Sequence, residues 1–186
     1  MNRFIALLRG INVSGQKKIK MADLKSLIGE LPFSQVETYI QSGNIVFSSE
    51  TEDAALFASQ ISDRIKQEYG YEVEVIIRTA ADLHHILMHN PFCEYQSIDQ
   101  KALYVTFLAS APAPDAVMAI DADAFLPEKF VVAGSSIYFY AANGYGRAKM
   151  NNAFFERKLK MKATTRNWKT VHKLVEMARA VKQQHD

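Results

Sequence analysis

The chain has 186 residues, 48% of them hydrophobic and 23% charged, with a single cysteine and a formal net charge of +2. That length fits one medium domain or two small ones with a core that needs no staple, and a lone Cys93 excludes an intrachain disulfide. No stretch approaches the roughly 20 apolar residues of a spanning helix, and the apolar run in MNRFIALLRG is short and interrupted by Arg9; a soluble, cytoplasmic protein without a membrane partner is expected.

Phe4 to Leu8 reads as a buried strand entering Arg9-Gly10, followed by a polar loop. Leu24, Leu27, Ile28 and Leu31 keep helical spacing up to Pro32. Val36 to Phe47 reads as a hairpin turning at Ser42-Gly43. Residues 52–69 form a helix with Phe57, Ile61 and Ile65 four apart, and Gly70 is its stop. Val73, Val75 and Ile77 alternate as a strand, completing a βαββαβ order.

The second half begins with a helix carrying Leu83, Ile86 and Leu87 that ends before Asn90-Pro91. A strand follows at Leu103, Val105 and Phe107, then a short helix over Pro112 to Ile120 and a hairpin from Phe130 to Tyr140 turning at Gly134-Ser135. Residues 150–161 and 167–182 read as helices, the last with an apolar stripe of Trp168, Val171, Leu174, Val175, Ala178 and Val181. The expected fold class is α+β: two ferredoxin-like (βαββαβ-type) halves with antiparallel sheets, packed together, with a C-terminal helix. Residues 1–79 form the N-terminal half and 80–186 the C-terminal half.

Charge is segregated along the chain. Residues 1–30 carry six Lys/Arg against two Asp/Glu, residues 31–143 five against fifteen, and residues 144–182 eleven against two. Two basic ends flank an acidic middle, and if the fold joins them they make a face for an anion. The acidic middle shows no paired carboxylates and reads as a solvated face.

The strand–loop–helix from Leu8 to Leu24 has the outline of a phosphate cradle. Gly10 and Gly15 have P-loop spacing, but Gln16 and Lys17 stand where Lys and Ser/Thr are needed, so only a looser anion loop using Arg9, Asn12, Lys17 and Lys18 remains, against a plain basic loop. Thr164, Thr165 and Asn167 are all helix-cap types, and Arg166 adds a fork matched to phosphate or carboxylate; an ordinary capped helix with Trp168 in the core is the other reading. Gly144 and Gly146 allow close backbone approach beside Arg147 and Lys149, with Asn152 following, or simply close a hairpin. Gln41, Ser42 and Asn44 form a turn that can also offer polar groups to a ligand.

Other chemistries are disfavoured. His85 and His89 have metal-ligand spacing, but no third ligand is evident, so no metal is expected. Cys93 lacks a nucleophile signature, and there is no Gly-x-Ser-x-Gly elbow. An RNA-recognition domain is excluded by Asn44 and Val46 standing where its stacking aromatics belong. No cofactor is expected.

Three stretches, FIALLRGINVSGQKKIKMADL, TYIQSGNIVFSS and GYGRAKMNNAFFERKL with ATTRNWKTVHKL, together resemble the bacterial family called domain of unknown function 1697. The resemblance implies a small cytoplasmic α+β protein of two ferredoxin-like halves and supplies no reaction or catalytic residues. It marks Arg9, Gly10, Asn12, Gly15, Gln41, Ser42, Gly43, Asn44, Arg147, Lys149, Asn152 and Thr164 to Trp168, which overlap the residues chosen on chemistry. The leading expectation is a binding module for an anionic small molecule or nucleic acid. The alternatives are an enzyme acting on a small anionic substrate by electrostatic stabilisation and an interaction protein using its charged faces.

Overall fold

The structure, a computed structural model, describes residues 1–95 and 97–180. The end of the helix expected over 167–182 therefore lies outside the described residues. The architecture is α+β, with two four-stranded antiparallel sheets and a C-terminal helix. The chain forms two compact units: Met1–His85 with the stretch from Lys173 onward, and Ile86–His172.

In the first unit the order is β1 (Asn2–Leu8), α1 (Met21–Ile28), β2 (Ser34–Tyr39), β3 (Asn44–Ser49), α2 (Ala54–Tyr69) and β4 (Val75–Thr79), with sheet order β2-β3-β1-β4. Phe4 pairs with Phe47 on β3 and with Thr79 on β4. One sheet face meets α1 and α2 through Phe4, Phe47 and Phe57, whose rings lie 5.0–5.7 Å apart. Ile5, Leu7, Val46 and Ile76 on the other face are also buried, so β1 reads as a continuous apolar run rather than an alternating one. In α2, Phe57, Ile61 and Ile65 make the buried stripe; Asp53 caps the start by accepting the Leu56 N–H at 2.9 Å, and Gly70 ends it at φ 70°, as its spacing and glycine predicted.

The helix α3 (Ala80–Met88) follows β4 directly. The second unit then repeats the pattern: β5 (Leu103–Leu108), α4 (Pro114–Met118), β6 (Lys129–Ala133), β7 (Ser136–Tyr140), α5 (Asn152–Leu159) and β8 (Ala163–Asn167), with sheet order β6-β7-β5-β8. Its core gathers Leu108, Ile137, Phe139, Phe154, Phe155 and Leu159. The helix α6 (Trp168–Arg179) follows β8 directly.

Strand β8 corrects the sequence reading. Thr164 and Thr165 are not helix caps: they pair with Phe107 and Thr106 on β5, and only Asn167 caps the next helix. Helix α5 ends at Lys160 in the left-handed region, which frees the chain to turn back as a strand, and the β-branched threonines suit one. Glu128 corrects the solvated-acid reading too, since it is buried and accepts two backbone N–H groups.

Candidate functional site

In the first unit the expected anion loop is organised by its own side chains. Asn12 donates from Nδ2 to the carbonyls of Ile19 and Gln41, both at 2.9 Å, and its Oδ1 accepts the Ile19 N–H at 2.8 Å. Both ends of the loop are thereby tied to the β2–β3 turn. Asn44 is fully buried and donates to the Tyr39 carbonyl at 2.8 Å and to Ser42 Oγ at 3.1 Å. Lys17 donates its ammonium to the Glu72 carbonyl, and the Arg9 N–H donates to the Glu74 carbonyl at 2.9 Å. Gln41 and Lys18 are exposed. Asn12, Ser42 and Asn44 thus spend their polar groups on loop architecture.

In the second unit Asn152 and Thr165 also turn inward. The Asn152 N–H donates to the Tyr145 hydroxyl at 2.9 Å, its Nδ2 to the Ala163 carbonyl at 3.0 Å, and its Oδ1 accepts from Thr165 Oγ1 at 3.1 Å. Thr165 Oγ1 lies 2.8 Å from Thr106 Oγ1 across the strand pair. Burial holds the Tyr145 phenol above its usual range, with the Thr165 and Asn152 hydrogen bonds opposing. Arg166 is buried on the opposite phase of β8; its Nη1 donates to Thr164 Oγ1 at 2.7 Å and to the Thr165 carbonyl at 3.0 Å. Burial pushes that guanidinium down to about 10, with Tyr145 opposing. Arg147 and Lys149 are exposed, in and just after the 3-10 turn Tyr145–Arg147.

A different group of residues surrounds the head of α6. A concavity of about 470 Å³ is lined by Gln100, Lys101, Tyr104, Asn167, Trp168, Lys169 and His172. Asn167 Oδ1 accepts the Thr170 N–H at 2.8 Å, fixing the start of the helix. Trp168 is 3% exposed, its ring stands edge-to-face with His172 at 5.2 Å, and its indole Nε1–H has no acceptor among the described residues. Lys101 and Lys169 are exposed and have no ion-pair partner among the described residues. The nearby Asp99 carboxylate caps its own turn by accepting the Lys101 N–H at 2.9 Å.

The first unit has a concavity at the corresponding place. Phe4 faces Thr79 in the sheet as Tyr104 faces Asn167, and each strand runs straight into a helix. Around Phe4, Thr79, Ala80 and Ala81 a volume of about 460 Å³ also takes in Asn2, Arg3, Glu52 and Asp82. Most of its polar groups are engaged: Asn2 donates to Glu52, Asp82 and Thr79 cap each other at 2.9 and 3.0 Å, Arg3 donates to the Gln35 and Met177 carbonyls at 3.2 and 3.0 Å, and Arg78 donates to the Ile77 carbonyl at 2.9 Å, while the buried Arg3 Nε–H has no acceptor among the described residues. The two concavities share a position in the fold and differ in chemistry.

A family model described as protein of unknown function (DUF1697) matches residues 1–138. The chain belongs to the DUF1697 family. No curated protein matches it. Among solved structures it is similar to the conserved bacterial protein SP0830 from Streptococcus pneumoniae, at 24% identity and a TM-score of 0.72, over 97% of this chain and 99% of that one. At that identity the likeness concerns the fold.

In this DUF1697 chain, sequence reasoning reached Asn167 but missed Gln100, Lys101, Tyr104, Lys169 and His172. Lys169 and His172 lie three residues apart on the exposed side of the helix whose apolar stripe was legible, so their spacing carried a signal. The others come from the turn and strand of Gln100 to Tyr104, and only the β5–β8 pairing brings them to α6. Among the described residues no three His, Cys, Asp or Glu side chains group as a metal site requires, and no helix is long and apolar enough to cross a membrane.

Proposed function

We propose that the second unit binds an anionic ligand in the concavity at the head of α6, and that each unit is ferredoxin-like. The βαββαβ order and the sheet orders β2-β3-β1-β4 and β6-β7-β5-β8 support the second point. The binding reading is carried by one observation: Lys101 and Lys169, two exposed ammonium groups without ion-pair partners among the described residues, line the same concavity. The helix N-terminus adds a favourable partial charge worth roughly 0.3–1 kcal/mol, and Trp168, whose buried Nε1–H has no acceptor among the described residues, is part of the lining. Arg147, Lys149 and Lys18 contribute to the general basic character of the two chain ends.

The test is calorimetric titration of the full chain with inorganic phosphate and pyrophosphate at about 50 and 200 mM salt, with Lys101→Ala and Lys169→Ala beside it. Binding that weakens with salt and falls several-fold in each variant supports the reading. Binding unchanged in the double variant, or none at either salt concentration, overturns it.

A further inference from the structure

We infer that this anion site is a mononucleotide pocket, with a planar base against Tyr104 and His172 and the phosphate on Lys101 and Lys169. The inference rests on the anionic reading of the same site and adds the class of ligand. A phosphate needs only the two ammonium groups. The rest of the wall is of another kind: Tyr104 is half-buried, with its ring 4.8 Å from that of Tyr145, and His172 is an exposed ring standing edge-to-face with Trp168. Flat π-surfaces beside cations are what a base with a phosphate requires, because stacking takes the base and charge takes the phosphate. The volume of about 470 Å³ lies within the range of small-ligand pockets, roughly 300–1,000 Å³.

Polar edges are present as well. Asn167 uses its Oδ1 on the Thr170 N–H, while its NH2 group has no acceptor among the described residues. Gln100 is exposed at the rim with a second amide, and amides offer both donors and acceptors to a base edge.

The first unit is an internal control. Where the second unit has Tyr104, it has Phe4, which is 1% exposed and packed into the core. Where the second unit has Trp168 and Lys169 after the strand, it has Ala80 and Ala81. At those positions the same architecture carries neither an accessible ring nor a cation; its half-buried His84, in register with His172, does not line the concavity, whereas Arg3 and Arg78 do. Strand binding would call for a series of rings and cations tracking a backbone; a single concavity with one wall suits one nucleotide.

The deciding experiment titrates the full chain with AMP, GMP, CMP and UMP, and with adenosine, inorganic phosphate and a short single-stranded RNA, reading heat and Trp168 fluorescence. At least one monophosphate is expected to bind about tenfold or more tightly than both phosphate and nucleoside, as the loss of one stacking contact implies. His172→Ala, checked for folding by circular dichroism, should remove that advantage and leave phosphate binding intact. Tyr104→Leu, checked for folding by circular dichroism, should do the same. Phosphate binding as tightly as every monophosphate, with dependence on Lys169, overturns the nucleotide inference and leaves the anion site standing. Failure of every anion to bind overturns both. RNA affinity that rises with length while monophosphates stay weak replaces the mononucleotide with a strand.

Discussion

Glu128 Oε2 accepts the Met150 N–H at 3.0 Å while its Oε1 takes the Lys149 N–H at 2.9 Å. One buried carboxylate therefore fixes the segment leading into α5, where Met150 and Phe154 enter the core. Charged acceptors make stronger hydrogen bonds than neutral ones, and removing this one strands two amides. Glu128→Ala should cost about 3 kcal/mol in urea unfolding with an unchanged m-value, and Glu128→Gln less, because its carbonyl keeps one bond. Equal stability of Glu128→Ala and the wild type would rule this role out.

The loop after β1 depends on Asn12 in the same way. Asn12→Ala should lose roughly 2 kcal/mol, since three bonds to Ile19 and Gln41 go at once. Affinity for phosphate should stay the same, because that loop belongs to the first unit. A variant of full stability but impaired binding would reverse the assignment.

Gly43 supports the neighbouring turn from the other side. It sits at φ 78°, and a Cβ there would stand 2.7 Å from Ile11 Cδ1 and 2.8 Å from Leu8 Cβ. Both strain and overlap act on Gly43→Ala, so a loss of about 2 kcal/mol or more is expected by thermal or urea unfolding.

Alkaline pH tests the Tyr145 network. Burial raises the folded pKa of this phenol, so the native state keeps its proton at pH values where the unfolded chain has released it. Stability from this group is complete below the unfolded tyrosine value of about 10 and is lost as pH rises through the folded value. Tyr145→Phe should be about 1 kcal/mol less stable near neutrality, through the bond lost to the Asn152 N–H. It should also show a shallower decline above about pH 10. Parallel alkaline profiles for the two proteins would count against this.

Much of the fold was legible because it rests on local periodicity. The stripe Phe57, Ile61, Ile65 ending at Gly70 and the hairpin turning at Gly134-Ser135 are set by residues close in sequence, and both stand where expected. Strand β8 was not, because Thr164, Thr165 and Asn167 are equally good cap residues in isolation. Their hydrogen bonds decide the matter, and the partner, Thr106, lies 59 positions away.

The sequence by itself determined the α+β class, the family and the basic character of both ends, since composition, turn chemistry and short-range spacing record these directly. Tertiary structure decided what each polar residue is for. Pairing β8 with β5 turned Thr165 and Asn152 toward each other and buried Arg166. It also set Lys101 and Tyr104 beside Lys169 and His172 around one concavity. The physical reason is that a polar side chain serves whichever partner the backbone brings within about 3 Å, and a contact between distant strands leaves no mark in the spacing of either one.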